Sequence, residues 1–141
     1  MASVLNPYIN FDGTAREALE FYKEVFGGEL NLNTFGDFGA DQAGDPEHKV
    51  DANKIMHGQL TTTSGFTLMA ADTPPGMPIQ AGNNISVSLS GDDRAELKGY
   101  WDKLADGGQV AVPLEKQMWG DEFGMCVDKF GISWLVNIAG S

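Results

Sequence analysis

The stretch from Trp119 to Asn137, WGDEFGMCVDKFGISWLVN, decides the fold of this chain. Gly124 and Gly131 would each break a helix, and apolar residues recur at the two-residue spacing of strands on both sides of Gly131. The stretch therefore predicts a β-hairpin. Its four-residue loop, Asp128 to Gly131, ends in a glycine that supplies a positive φ. Trp119 is expected at the rim of the surface that this hairpin lines.

The elements before this hairpin form two matching series. In each series a strand leads to an amphipathic helix that ends at a glycine pair, and further strands follow. Thr14 with Glu17 and Asp93 with Glu96 have the spacing of capping boxes at the two helix starts. Ser64-Gly65 predicts a two-residue hairpin turn in the first series. The strands predicted outside the C-terminal hairpin span 4–11, 29–35, 55–63, 66–71, 85–90 and 110–114.

This order predicts an α+β fold in which one strand-helix-strand-strand-strand (βαβββ) unit is used twice. The first module is expected at 1–72 and the second at 84–141. A segment rich in proline and glycine, 73–83, is the predicted linker between them. One module alone would leave a sheet face poorly covered, so the two are expected to form one compact domain.

Composition limits the classes of partner. The chain has 141 residues, which suits a single domain, and its formal net charge is −11. This charge argues against nucleic acids and anionic membranes as partners. Cys126 is the one cysteine and forms no internal disulfide, and the N-terminus lacks the features of a secretion signal. We therefore predict a cytoplasmic protein.

A long loop separates two of the predicted strands. It runs from Gly36 to Asn53 and is acidic and rich in glycine. Loops of this length either close over a binding site or are mobile insertions at the surface. The sequence leaves both interpretations open.

Short motifs along almost the whole chain resemble a known family. They are Asn6-Pro7-Tyr8, Glu20-Phe21-Tyr22, Met56-His57-Gly58, Met69-Ala70-Ala71-Asp72 and, most specific, the stretch from Trp119 to Trp134. Together they resemble the PhnB-like (YjdN-type) family of the vicinal oxygen chelate superfamily, which includes glyoxalase I, bleomycin resistance proteins and extradiol dioxygenases. The resemblance implies a half-barrel around one cleft, the glyoxalase/bleomycin-resistance-like fold. It also implies a homodimer, in which modules could be exchanged between chains through the linker.

The resemblance further implies where a metal would bind. In the superfamily a divalent ion is held by His, Gln or Glu on the first and last strands of each module. The corresponding positions here are Met69 and Leu135 on the last strands, with Tyr8 or Asn10 and Asn84 or Ser86 on the first. Such side chains are poor ligands for a hard divalent ion. We therefore predict no metal and no other cofactor, with a divalent metal as the alternative.

Members of the family have also been called 3-demethylubiquinone-9 3-methyltransferase domains. A nucleotide-type methyl donor is usually held by a glycine-rich turn that leads from a strand into a helix. Gly27-Gly28 and Gly107-Gly108 both follow predicted helices instead. The sequence therefore does not support a methyltransferase activity.

His57 is the main candidate for chemistry. It shares a strand face with Gln59 and Thr61, where it would serve as a general base or as a polar anchor for a ligand. A histidine satisfied by one hydrogen bond within the sheet fits the pattern equally well. Trp119 is suited to stack on a small ligand because it stands beside a glycine at the start of a strand. The predicted ligand-binding residues are Tyr8, Asn10, His57, Gln59, Ser86 and Trp119.

Other conspicuous residues have structural interpretations. Asp72, Asp121 and Asp128 stand at strand ends or turns, where aspartates commonly bond the backbone. Cys126 is expected to be a small buried hydrophobe, and Trp134 is expected to point toward the helix side.

Two main functions remain open. The first is binding of a small molecule in the cleft without a metal. The second is an enzyme, which would be either a metal-dependent isomerase or lyase or a metal-free acid-base catalyst using His57. An inactive dimeric scaffold is a third interpretation.

Overall fold

The computed structural model describes residues 3–38, 51–74, 77–82 and 84–140. Most of the predicted acidic loop, with its role as a lid, lies outside the described residues, as do parts of the linker. The chain divides into two compact units, Met1–Gln80 and Ala81–Ser141. The first unit contains β1 (Tyr8–Phe11), α1 (Ala15–Phe26), β2 (Glu29–Thr34), β3 (Ile55–Thr61) and β4 (Thr67–Asp72), with a short 3-10 helix at Gly36–Phe38. The second contains β5 (Val87–Gly91), α2 (Arg94–Ala105), β6 (Gln109–Lys116), β7 (Glu122–Val127) and β8 (Ser133–Ile138).

Each unit forms one four-stranded mixed sheet with one long helix, so the predicted α+β fold of two βαβββ modules is confirmed. The strand orders are β1-β4-β3-β2 and β5-β8-β7-β6. In both sheets the first strand runs parallel to the last, and the other neighbours are antiparallel. The first strand is shorter than predicted, because residues 4–7 are not in the sheet.

Each helix covers one face of its own sheet. Helix α1 packs against β2, β3 and β4, and α2 packs against β5, β7 and β8. Trp134 is fully buried on the helix side of β8, as predicted, and Cys126 is fully buried on β7. None of the described helices is long and apolar enough to cross a membrane. Within each module the opposite sheet face is left uncovered by that module's helix, and we call it the open face.

The glycine pairs that end the helices have the same role in both modules. Gly27 and Gly107 adopt φ values of +71° and +80°, which favour glycine. At Gly28 an added Cβ would overlap the carbonyl oxygen of Thr61, and at Gly108 it would overlap that of Val127. The chain can therefore leave each helix and enter the adjacent strand only because these positions lack a side chain.

Three hairpins are closed by loops of the same length, and this corrects two predictions. The loops consist of residues 63–65, 118–120 and 129–131. Gly65, Gly120 and Gly131 occupy the third position with φ of +93°, +101° and +89°. The turns predicted at Ser64-Gly65 and at Asp128–Gly131 therefore both have three residues. In this loop type a left-handed glycine follows an ordinary turn, which fixes the length at three.

The two helix starts differ from each other, and one differs from its prediction. The Asp93 carboxylate accepts a hydrogen bond from the Glu96 backbone N–H at 3.1 Å, so this aspartate is a helix cap as predicted. Thr14 makes no side-chain cap hydrogen bond, and the capping box predicted there is wrong. The N–H of Ala15 instead donates to Oδ1 of Asp72 at 2.9 Å. A carboxylate at the end of β4 therefore caps α1 from a distant part of the sequence.

Candidate functional site

Four of the six predicted ligand-binding residues lie on the open face of the first sheet. Cross-strand partners point to the same face of a sheet. Tyr8 is in register with Met69, and Met69 with Gln59. Asn10 lies two residues beyond Tyr8 on β1, and His57 lies two residues before Gln59 on β3. The described residues of this face are Tyr8, Asn10, Glu29, Asn31, Asn33, His57, Gln59, Thr61, Thr67, Met69 and Ala71.

Tyr8 and His57 form a stacked pair on this face. Their ring centroids are 5.8 Å apart and the rings are inclined by 29°. Strand β4 lies between their two strands, and its Ala71 carries only a methyl group, which leaves room for the rings to meet. Tyr8 is 48% exposed and His57 is half-buried. The pair therefore presents an accessible aromatic surface rather than a part of the core.

A bulge in β3 directly precedes His57. Asn33 is in register with His57, whereas Thr34 is in register with Ile55, so Met56 has no partner on β2. An extra residue of this kind bends a strand and re-aims its neighbouring side chains. The local geometry of β3 therefore contributes to the direction of the imidazole.

Sequence reasoning missed two amide residues of this face. Asn31 is the cross-strand partner of Gln59, and Asn33 is the partner of His57. The signal was present in the β2 sequence ELNLNT, where leucine and asparagine alternate. The two leucines face α1, and the two asparagines therefore face the open side.

The other two predicted site residues lie in the second unit, far from each other within its sheet. Ser86 precedes β5, and its Oγ is 2.7 Å from that of Ser133. Trp119 lies in the loop between β6 and β7. Because β5 and β6 form opposite edges and Ser86 stands at the start of β5, the two residues occupy diagonal corners of the second sheet.

The positions that the resemblance assigns to a metal do not fit one here. Met69 lies on the open face of the first sheet between Tyr8 and Gln59, and Leu135 lies on that of the second sheet beside Ser88. A thioether and a hydrocarbon are unsuitable for a hard divalent ion. In the part of the chain that the structure describes, no three His, Cys, Asp or Glu residues are grouped so that they could hold a metal.

Three aspartates have structural partners. Asp72 is buried, and besides capping α1 it accepts the N–H of Ile55 at 2.9 Å. Asp128 is 3% exposed and accepts from the backbone N–H groups of Phe130 and Ile132 and from the indole N–H of Trp134. The interpretation of Asp72 and Asp128 as cap and turn residues is therefore confirmed.

Asp121 holds the C-terminal end of the described chain. Its Oδ1 accepts the Gly140 backbone N–H at 2.8 Å, and its Oδ2 accepts the Asn137 side-chain amide at 3.1 Å. The bond from Gly140, then that from Asn137, and to a smaller extent the indole N–H of Trp119 lower the pKa of Asp121. Asp121 is therefore ionised at neutral pH.

The Cys126 thiol is not suited to act as a nucleophile. Its side chain is fully buried on β7. Burial, followed by the negative charge of Asp128, raises the pKa of the thiol to about 11. The thiolate that a nucleophile requires is therefore absent at neutral pH, as the prediction of a buried hydrophobe implies.

Comparison with known structures first defines the class. A glyoxylase/bleomycin resistance protein/dioxygenase domain from Frankia sp. EAN1pec has the same fold, with a TM-score of 0.64 at 12% identity over 100% of this chain and 99% of that chain. The fold is therefore that of the glyoxalase/bleomycin resistance/dioxygenase superfamily.

The family then follows from a match over nearly the whole chain. Residues 3–137 match the family described as 3-demethylubiquinone-9 3-methyltransferase, so the chain belongs to this PhnB-like family. Protein YjdN of Escherichia coli strain K12 is 25% identical over 140 residues, which is 95% of this chain and 94% of YjdN. The crystal structure of protein PA1353 from Pseudomonas aeruginosa is 35% identical, with a TM-score of 0.82 over 99% of this chain and 100% of that chain.

Proposed function

We propose that this PhnB-like protein binds a small, neutral, polar molecule on the open face of its first sheet, without a metal. The observation that supports this most directly is the stacked pair of Tyr8 and His57, accessible and flanked by Asn10 and Gln59. An aromatic surface contacts the flat part of a ligand, and side-chain amides both donate and accept hydrogen bonds. This combination is typical of small-molecule sites.

The charge of this face favours a neutral ligand. Among its described residues, Glu29 at the sheet edge is the one Asp, Glu, Lys or Arg, and the rest are amides, hydroxyls, apolar groups and His57. The chain as a whole carries a formal net charge of −11, which repels anions. Four amide side chains, those of Asn10, Asn31, Asn33 and Gln59, match a ligand with several donors and acceptors, such as a planar heterocyclic amide.

A binding experiment with neutral probes tests this proposal. Saturation-transfer NMR with a panel of heteroaromatic amides, including nicotinamide and pyrazinamide, should give signals with the wild-type protein. Tyr8→Ala should weaken the best binder by about tenfold, because it removes half of the stacking surface. The matched control is Ser88→Ala, which changes the corresponding position of the second module. Equal binding by wild type and Tyr8→Ala, or no binding by any probe, would contradict the proposal.

Acid-base catalysis by His57 is the second candidate, and its half-buried position on the open face supports it. The imidazole would move a proton to or from a molecule bound beside Tyr8. His57→Gln keeps a polar side chain but cannot act as an acid or base near neutral pH. Turnover of a bound probe that is lost in this variant, while binding persists, would establish the enzyme.

The absence of a functional metal is part of the proposal, and it follows from the chemistry of Met69 and Leu135. Purified protein should contain no stoichiometric zinc, nickel, manganese or iron, and a chelator should leave its melting temperature unchanged. Elemental analysis that finds one ion per chain, lost in His57→Ala, would restore the metal-dependent isomerase or lyase.

We also propose a cytoplasmic homodimer in which each chain contributes the two modules 1–72 and 84–141. The sheets support this, since β1, β2, β5 and β6 each pair with a single strand among the described residues, and open edges are commonly covered by a second chain. Exchange of modules through 73–83 remains part of this proposal. Light scattering at micromolar concentration should give twice the monomer mass of 15.2 kDa. A mass near that of the monomer would contradict the dimer.

A further inference from the structure

Two aromatic rings meet at one corner of the second sheet. Trp119 and Phe123 have ring centroids 6.4 Å apart and are inclined by 65°, and we call this pair the aromatic corner. Trp119 is 64% exposed, whereas Trp101 and Trp134 are buried. Phe123 is half-buried on the open face of the sheet, so the corner opens to solvent rather than to the core.

Negative charge lies on the same side as these rings. Glu115 is the cross-strand partner of Phe123 on β6, which places its carboxylate on the same face. Asp121 follows Trp119 by two residues, and its carboxylate is fixed by the Gly140 backbone N–H and the Asn137 side-chain amide. The neighbouring cross-strand pair, Lys116 and Glu122, points to the opposite face, where Glu122 forms a salt bridge with Arg94 at 2.7 Å. The corner therefore combines aromatic faces with two carboxylates and without a competing cation from these strands.

We propose that the aromatic corner binds a small organic ammonium cation. A cation within about 6 Å of a ring centroid is attracted by the negative face of the ring, and tryptophan attracts it most strongly. Glu115 and Asp121 add Coulombic attraction at short range, and the net charge of −11 raises the local concentration of cations. Because all of these residues belong to the second unit, this site does not depend on the ligand proposed for the first sheet.

The geometry distinguishes this site from an apolar patch. Asn137 is the partner of Phe123 on the side away from Glu115, and its amide is held by Asp121. The rings are thus flanked by an acid on one side and a fixed amide on the other. A neutral apolar molecule would gain contact with the rings but would lose the charge attraction, so the site should discriminate by charge rather than by shape.

A pair of isosteric probes tests this directly. Choline and 3,3-dimethyl-1-butanol have nearly the same shape, and only choline is charged. Because Trp119 is the exposed tryptophan, its fluorescence should report binding, while the buried Trp101 and Trp134 contribute a constant background. At constant ionic strength, choline should give a saturable change with at least about fivefold tighter binding than the alcohol. Equal binding of both probes, or no saturable change with choline, would overturn the proposal.

Variants locate the site. In Trp119→Leu, choline binding followed by NMR of the ligand should weaken by about tenfold, because the leucine keeps apolar contact but has no ring. Glu115→Gln should weaken it by about threefold, as the loss of one exposed charge. Met118→Ala is the matched control, because Met118 is fully exposed in the same loop, and it should bind like wild type. Unchanged choline binding by Trp119→Leu would contradict the site, whatever the result with the first sheet.

Discussion

The two modules have the same backbone plan but different chemistry on their open faces. Aligned on the hairpin glycines Gly65 and Gly131, His57 of the first module corresponds to Phe123 of the second. Gln59 corresponds in the same way to Met125. The stacked pair and the amide of Gln59 are therefore specific to the first sheet, while the corresponding positions of the second sheet carry Ser88, Phe123 and Met125. The two modules therefore share the strand order and the hairpin glycines and differ in the side chains of the open face.

The modules also differ in how each helix start is satisfied. Asp72 on β4 caps α1 from across the module, and the corresponding residue of β8 is Ile138. Helix α2 is capped by its own preceding residue, Asp93. The first module therefore depends on one buried carboxylate for both its helix start and the start of β3, whereas the start of α2 depends on a local cap.

The largest expected effect is in the core of the second module. Trp134→Ala should lower the free energy of unfolding by about 3–5 kcal/mol, because it leaves a large cavity at a fully buried position. It also removes the indole N–H that donates to Asp128 at 2.8 Å. Denaturant unfolding measures the loss, and His57→Ala in the first module is the comparison, with an expected loss below about 1 kcal/mol. A similar loss in both variants would show that His57 belongs to the core.

The caps provide the next test. Asp72→Ala should cost about 2–4 kcal/mol, since two buried N–H groups lose their acceptor. Asp93→Ala should cost about 1 kcal/mol, as for an exposed N-cap. Thr14→Ala should change stability by less than about 0.5 kcal/mol, because Thr14 makes no side-chain cap bond. A loss in Thr14→Ala equal to that in Asp93→Ala would contradict the difference between the two helix starts.

The smallest expected effect depends on pH. The pKa of Asp121 lies below its ordinary value of 3.8, so the ionised carboxylate stabilises the folded state at neutral pH. That contribution is lost as the pH falls below about 4 toward the folded pKa. Asp121→Asn should therefore be less stable than wild type at pH 7, and the difference should shrink in acid. A difference that stays constant down to about pH 2 would show that the charge of Asp121 does not matter.

Local sequence patterns were sufficient to predict most of the secondary structure and its order. The glycine pairs at Gly27 and Gly107 marked both helix ends. Trp134 was expected on the helix side because it directly precedes Leu135, which the resemblance places on the opposite face.

The capping box predicted from the spacing of Thr14 and Glu17 is wrong, although Thr14 does stand at the helix start. The acceptor of the Ala15 N–H is Asp72, which is 57 residues away in the sequence. Only the tertiary fold brings those two residues together.

The candidate site was only partly predictable, because it too depends on contacts between residues that are distant in the sequence. Strand alternation grouped Tyr8 with Asn10 and His57 with Gln59, and the family resemblance placed both groups toward one cleft. The stacking of Tyr8 on His57 requires the strand order β1-β4-β3, which the sequence pattern alone does not specify. Ser86 and Trp119 were grouped with them from the resemblance and residue type. Their positions at diagonal corners of the second sheet depend on strand order and direction, which no local pattern encodes.

One exchange of residues tests most directly whether the neutral ligand binds to the open face of the first sheet. The double variant Tyr8→Ser/His57→Phe gives the first module the residues found at the corresponding positions of the second, Ser88 and Phe123. Titration of the tightest-binding heteroaromatic amide, followed by NMR, should show binding weakened by at least about tenfold, while thermal unfolding remains cooperative. Binding equal to that of wild type in the folded double variant would contradict the account.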